Sequence, residues 1–288
     1  MAAPRPSTWL ITGASSGIGK SLALAALRAG FKVIGTTRDV AQAETSFSEF
    51  SAGGGIWKQL NPSQNDAFEQ FSKCAAENDI DVLVNNAGYA FLGAAEDTSE
   101  DEVRDQMEVN FYGPLRAIKA CLPSMRAKGS GELVLISSGA GFVARASRST
   151  YASSKFAIEA VHESVAQEVK TLGVKVLIVE LGAFRTAFSS RIITPARYSL
   201  SNGISDAYKG TAVEQILTAT QDMRFMPDSV KGDPDKAAEA IIKAVREGHD
   251  FLRMPLGSDC VAALEGKIGA LQSDLDATRA IAVTTDID

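Results

Sequence analysis

The chain opens on a short apolar run, Trp9-Leu10-Ile11-Thr12. It breaks at once into Gly13-Ala14-Ser15-Ser16-Gly17-Ile18-Gly19, and then into an alanine- and leucine-rich segment from Lys20 to a glycine stop at Gly30. This order reads as strand, glycine turn, helix, and it limits the fold more than any other feature of the sequence. Glycines let a ligand approach the backbone closely. The helix behind them offers N–H groups and the positive end of its dipole, which together suit a phosphate. The spacing is G-x-x-x-G-x-G, not the G-x-G-x-x-G of the standard dinucleotide fingerprint. Alone, the turn fits a plain tight turn as well as a nucleotide site. Its place at the first strand–helix junction favours the nucleotide.

Strand and helix patterns then alternate. Strands are predicted at about 8–12, 32–37, 56–60, 80–85, 132–138, 174–180 and 250–254, with helices at about 17–29, 41–50, 65–78, 99–127, 151–172 and 235–248. Alternation of this kind implies an α/β fold: a doubly wound parallel sheet of about seven strands with helices on both faces. With 288 residues and 45% hydrophobic content, the chain can bury one sizeable core, so residues 1–288 are read as a single domain. In such sheets the site lies outside the carboxyl ends of the strands, where the strand order switches. The glycine turn, Asn86, Ser138 and Gly182 all follow strands and are expected to converge there.

Residues 187–233 break the rhythm and are long for a connection. They carry Phe188, Ile192, Ile193, Tyr198, Tyr208, Ile216, Leu217, Met223, Phe225 and Met226, too apolar a set for a disordered linker. The expectation is one or two short helices forming a lid over a substrate, with a packing or oligomer-contact element as the alternative. The last stretch, 259–278, has helical character and fits either an interface in a homo-oligomer or a surface helix.

The second strand ends Thr36-Thr37-Arg38, with Asp39 one step late. An acidic residue at this strand end would bond an adenosine ribose 2′-hydroxyl, whereas an arginine accommodates a 2′-phosphate. Arg38 therefore points to NADP over NAD. Further on, Tyr151 and Lys155 lie four residues apart on one helical face, and Ser138 precedes Tyr151 by thirteen residues. A free tyrosine has a pKa of about 10. A lysine charge beside it would favour the phenolate and lower that value, making Tyr151 a proton donor or acceptor near neutral pH, with Ser138 holding a substrate oxygen.

Together these residues resemble the short-chain dehydrogenase/reductase family, within it the hydroxysteroid-dehydrogenase-like oxidoreductases. The resemblance is carried by Thr12 to Gly19, by Asn85-Asn86-Ala87-Gly88, by Asn110 and Ser138, and by Tyr151 to Lys155, in the family's order over roughly residues 7 to 185. It implies a Rossmann-type fold and a catalytic tetrad of Asn110, Ser138, Tyr151 and Lys155. It also implies that Asn110 kinks its helix and holds a water in a proton relay to Lys155. The implied cofactor contacts are Gly13, Ser15, Ser16, Gly17, Ile18 and Gly19, then Arg38 and Asn61, then Asn86, Ala87 and Gly88, then Tyr151 and Lys155, and finally Gly182, Phe184 and Thr186. The sequence departs from the family in two places. Leu181 stands where Pro is usual before Gly182, and Asn61 stands where an aspartate commonly contacts adenine.

The net charge of −6 and the absence of a basic stripe argue against nucleic acid as a partner. Cys74, Cys121 and Cys260 are far apart and lack metal spacing, which suggests reduced thiols in a cytoplasmic setting, and no metal is expected. His162 and His249 are read as structural. Met1 to Pro6 does not read as a signal peptide, and no apolar run reaches membrane-spanning length. The expected activity is NADPH-dependent interconversion of a carbonyl and an alcohol on a bulky, largely apolar small molecule. An isomerase or cyclase on the same scaffold, or a non-catalytic NADP sensor, are the alternatives.

Overall fold

The structure is a computed structural model and describes residues 7–223, 225 and 229–287. Met1 to Pro6 and Met226 lie outside the described residues. The strands are β1 (Thr8–Ile11), β2 (Lys32–Thr37), β3 (Ile56–Gln59), β4 (Val82–Asn85), β5 (Gly131–Ile136), β6 (Val174–Leu181) and β7 (Arg253–Leu256). They form one seven-stranded sheet in the order β3-β2-β1-β4-β5-β6-β7, and every pairing is parallel. The order reverses between β1 and β4, so the carboxyl ends of these two strands flank the crevice where such sheets bind ligands.

Helices cover both faces. They are α1 (Gly17–Arg28), α2 (Val40–Ser46), α3 (Ser48–Ala52), α4 (Ala67–Asn78), α5 (Glu100–Met107), α6 (Gly113–Lys128), α7 (Ser149–Glu168), α8 (Ala212–Asp222), α9 (Pro234–Glu247) and α10 (Ser258–Ala282). Strand residues alternate between two cores. Trp9, Ile11, Val33, Val84 and Val179 pack with Leu22 and Ala26 of α1 and with Ala238 and Ile241 of α9. Leu10, Ile34, Leu83, Leu133 and Val176 pack with Phe71 of α4, Ile118 and Cys121 of α6 and Val165 of α7. Burial on both faces explains why the central strands read as continuous apolar runs. Among the described residues, no helix is long and apolar enough to cross a membrane.

Several predicted elements differ in detail, among them a helix expected over 151–172 that ends at Glu168. The helix expected over 41–50 is broken at Phe47, whose φ of −147° and ψ of 51° are not helical and whose ring is buried against Phe50 and Trp57. The helix expected over 99–127 is interrupted by a π-helical segment, Glu108–Tyr112, ahead of Gly113-Pro114. The last strand starts at Arg253, three residues later than expected. Before it, His249 is held by Glu132 through Nε2 at 2.8 Å and by the Phe251 carbonyl through Nδ1 at 2.7 Å, which keeps residues 249–251 out of the sheet.

Candidate active site

The glycine turn is fixed by the strand it faces. Thr12 Oγ1 accepts the backbone N–H groups of Asn86 at 2.9 Å and Ala87 at 3.0 Å. In return Asn86 Nδ2 donates to the carbonyls of Thr12 at 2.8 Å and Gly13 at 3.1 Å. Both amide protons of Asn86 are thus committed to holding the turn. A Cβ at Gly19 would stand 2.4 Å from Asn86 Nδ2 and 2.5 Å from the Gly13 carbonyl, so no larger residue fits there without moving the turn. Ile18 points into the core. Ser16 N-caps α1 without its side chain accepting from the helix's own N–H groups, and the first turn of α1 carries no acidic residue. A donor-rich, uncapped helix start suits a diphosphate.

Ser138 ends the loop after β5, and Tyr151 and Lys155 lie on the inner face of α7. The Ser138 hydroxyl adjoins the Tyr151 phenol and accepts the Ala140 N–H at 3.2 Å, and the Lys155 ammonium donates to the Ile136 carbonyl at 3.0 Å. Both side chains are buried. Asn110 lies within the π segment, whose widened turn aims its side chain inward. Its Nδ2 donates to the Tyr89 carbonyl at 3.0 Å and to Ser154 Oγ at 3.1 Å, and its Oδ1 accepts the Tyr89 N–H at 3.2 Å. Gly88 lies between Asn110 and Lys155: a Cβ there would stand 3.0 Å from Asn110 Oδ1 and 3.8 Å from Lys155 Nζ. All four expected tetrad residues are therefore brought together with the segment 86–88.

The electrostatics correct one sequence expectation. Burial pushes the Tyr151 phenol above its ordinary value, and the groups that pull it back are Ser138, by hydrogen bond, and Arg148, by charge. Burial also pushes the Lys155 ammonium itself down to about 8, opposed by the Glu159 carboxylate. Dehydration outweighs the Tyr–Lys pairing because both groups sit deep. Beneath them lies a network that the sequence did not reveal. Glu159 accepts from Ser137, and Arg253 reaches Glu159 at 2.6 Å, Glu180 at 3.1 Å and Glu163 at 2.6 Å.

The segment after β6 forms another wall. Leu181 can donate a backbone hydrogen bond where a proline could not. β6 extends to Leu181 opposite Leu256, and Gly182 N donates to the Leu256 carbonyl at 2.9 Å. Asp259, at the start of α10, accepts the Ala183 N–H at 2.7 Å. Phe184 bridges to Gly232, and Thr186 abuts Gly17 at the glycine turn.

Among the described residues, the 187–233 insert includes 3₁₀ turns at Ser189–Arg191, Ala196–Ser201 and Asp206–Tyr208, followed by α8. Ile192, Ile204, Tyr208 and Leu217 pack with Ala90, Leu92 and Tyr151, and the Phe188 and Tyr151 ring centroids are 6.1 Å apart. Arg191 donates to Ser16 Oγ at 2.8 Å, tying the insert to the glycine turn across 175 residues of sequence.

At the far end of the crevice, Arg38 is exposed beside a groove of about 460 Å³ that it shares with Lys58, Leu60, Asn61 and Gln64. The Asp39 carboxylate is occupied as the N-cap of α2, accepting the Gln42 N–H at 2.9 Å. Asn61 Oδ1 accepts from Ser63 N at 3.2 Å and Ser63 Oγ at 2.9 Å, so its carbonyl is used within its own turn.

Residues 7–196 match the short chain dehydrogenase family. The chain is 44% identical over 211 residues to "Oxidoreductase claN" of Passalora fulva, covering 73% of this chain and 94% of that one. It is 34% identical over 258 residues to "Retinol dehydrogenase 8" of Homo sapiens, covering 87% and 81% respectively. A solved short-chain dehydrogenase from Streptomyces avermitilis superposes with a TM-score of 0.85 at 35% identity, covering 98% of this chain and 100% of that chain. With its sheet order, glycine turn and buried Tyr–Lys pair, the chain belongs to the short-chain dehydrogenase family, whose members are oxidoreductases that use a nicotinamide cofactor.

Proposed function

We propose that this protein is an NADPH-dependent reductase that interconverts a carbonyl and an alcohol on a bulky, largely apolar small molecule. One observation carries the reading. The Ser138 hydroxyl adjoins the Tyr151 phenol beside a buried Lys155, in the crevice that the glycine turn opens. The cofactor, when bound, supplies the hydride. The donors at Ser15, Ser16, Gly17, Ile18 and Gly19 suit its diphosphate, Gly13 shapes the turn with a left-handed φ of 64°, and Asn86 to Gly88, Gly182, Phe184 and Thr186 would line its nicotinamide end. Ser138 and Tyr151 hold the carbonyl oxygen, and Tyr151 gives it a proton. Burial keeps the phenol protonated at neutral pH, the form a donor needs. The Lys155 charge stabilises the phenolate left behind, and Asn110 fixes the backbone at Tyr89 and the hydroxyl of Ser154. Three free, buried cysteines fit a reducing compartment, and the cytoplasm is the proposed location. Leu181 only lengthens β6, so no observation favours an isomerase or cyclase over the redox reading.

The preference for NADP rests on Arg38. Asp39 is committed to capping α2, which leaves Arg38 as the charged group at the strand end. Arg38→Ala is expected to weaken NADPH at least about tenfold and NADH little, because only the 2′-phosphate loses its cation. Fluorescence titration with both cofactors measures this, and equal losses would remove the basis for NADP.

We read residues 1–288 as one catalytic domain and the 187–233 insert as its lid. Its apolar side chains pack directly on Tyr151, so a substrate reaching the phenol must lie among Leu92, Phe188, Ile192 and Leu217. Polycyclic ketones are expected to exceed acetone in kcat/KM, in line with the 1–3 kcal/mol that each buried methylene group contributes to discrimination. A panel assay following NADPH oxidation tests this, and better turnover of small polar ketones would refute the lid.

A further inference from the structure

The sheet and the site leave one large element unexplained. α10 is 25 residues long, yet only its start packs on the body: Cys260 is buried and its Sγ donates to the Glu180 carbonyl at 3.3 Å. Every described residue from Ile268 to the end is exposed. The free part, Ile268 to Ala282, therefore projects by roughly 22 Å. An isolated helix of this length is marginal in water, and Gly266 and Gly269 each weaken it further. From Val261 to Leu275 its large apolar residues follow one series, and Ile281 lies off it. Val261, Leu264, Ile268, Leu271 and Leu275 recur at alternating spacings of three and four, and Thr278 and Ala282 continue the series. Ile268 is 58% exposed, and Leu271 and Leu275 are each 48% exposed. A 3-4 repeat of this kind is the seam of a coiled coil, so the pattern itself asks for another helix of matching repeat.

We infer that α10 is a dimerisation arm whose partner is α10 of a second copy, packed antiparallel about a two-fold axis between Ile268 and Leu271. Every seam position from Val261 to Thr278 then finds a seam position. Ile268 meets the partner's Leu271, Leu264 meets the partner's Leu275, and Val261 meets the partner's Thr278, with each contact repeated by symmetry. The flanking charges agree. Lys267 lies beside the partner's Asp274, Glu265 beside the partner's Gln272, and no like charges face one another across the seam. The antiparallel arrangement also sets the two globular bodies at opposite ends of the arm pair, clear of each other. A lipid surface fits less well. Asp259, Glu265, Asp274 and Asp276 outnumber Lys267 and Arg279 on this helix, whereas interfacial helices are rich in basic residues.

Light scattering and sedimentation of the full chain test the arm. The double variant Ile268→Glu/Leu271→Glu places four like charges in the seam of a dimer and is expected to weaken association at least about 100-fold. The assembly mass should halve, whether the native assembly is a dimer or a larger oligomer built on it. Both positions are exposed in the single chain, so the thermal melt of the body should change little. An unchanged mass overturns the proposal. So does flotation of the native chain, but not of this variant, with phosphatidylserine–phosphatidylcholine vesicles, since that result assigns the arm to a membrane. A second series fixes the direction. Lys267→Glu should weaken association roughly tenfold by setting like charges together, and Lys267→Glu/Asp274→Lys should restore it. Failure of the charge swap to restore association overturns the antiparallel pairing. None of these residues lies in the site, so the outcome is independent of the proposed reaction.

Discussion

Replacing Tyr151 with phenylalanine is expected to lower carbonyl reduction at least a hundredfold, while cofactor affinity stays within about twofold. The substitution removes one oxygen and leaves the ring, which packs with Ala90, Leu92, Ile204 and Leu217. The fold and the glycine turn therefore have no reason to change. The lost oxygen adjoins Ser138 and can give up a proton and be stabilised afterwards by a buried ammonium. Positioned acids and bases contribute about 10²–10⁴-fold to turnover, which sets the expected range. Two measurements decide the matter: steady-state kinetics of the variant, and NADPH titration to show that binding survives. If more than about a tenth of kcat remains, Tyr151 is not the proton donor. The crevice then needs another acid. If turnover and NADPH binding fall together, the ring rather than the proton is what matters.

Much of this site was legible in the sequence because its parts are local. The glycine turn, the Ser138 loop and the Tyr151–Lys155 spacing each lie within a short stretch, and an open α/β sheet brings the ends of its strands to one crevice whatever the loop details. The central strands were legible for a related reason: burial on both faces demands apolar residues at every position. Features set by depth or by distant neighbours were hidden. Nothing in the Tyr–Lys spacing reveals that both groups are buried, so the expected lowering of the tyrosine gave way to dehydration of both. The break at Phe47 and the π segment carrying Asn110 leave the helical apolar pattern almost continuous, and only the packed core selects them. Asp259 holding Ala183, Arg191 on Ser16, and Arg253 among three glutamates join residues 73 to 175 positions apart. Single-sequence patterns have no means of pairing such residues.

Arg253 carries the second large expectation, and it concerns stability. Tyr151, Lys155, Glu159 and Glu163 follow one another at four-residue spacing along α7, so a single helix row runs from the crevice to the edge of the sheet. Glu159 and Glu180 are only 2% and 1% exposed, and Arg253 reaches both. Burial pushes both carboxyls upward, Glu180 to about 7, with the charge of Glu159 adding to the Glu180 shift and Arg253 opposing it. Arg253→Met keeps the aliphatic stem but strands the carboxylates, and breaking a buried pair in this way costs about 3–5 kcal/mol. The pH dependence separates this cause from lost packing. A carboxyl whose folded pKa is raised binds more protons folded than unfolded. Between its ordinary value and its folded value, stability therefore falls as pH rises. In the native protein the Glu180 contribution spans the window from the ordinary carboxylate value up to about 7. Without Arg253 the folded values rise further, and the window extends upward. The variant should thus lose most stability near pH 8 and recover much of it near pH 5.5, measured as the difference from the native protein in urea titrations at each pH. Adding Glu180→Gln to Arg253→Met should return part of the loss at pH 8 by removing one stranded charge. A deficit that is the same at both pH values, and that Glu180→Gln does not relieve, would mean that the stem of Arg253 matters for packing and its charge does not.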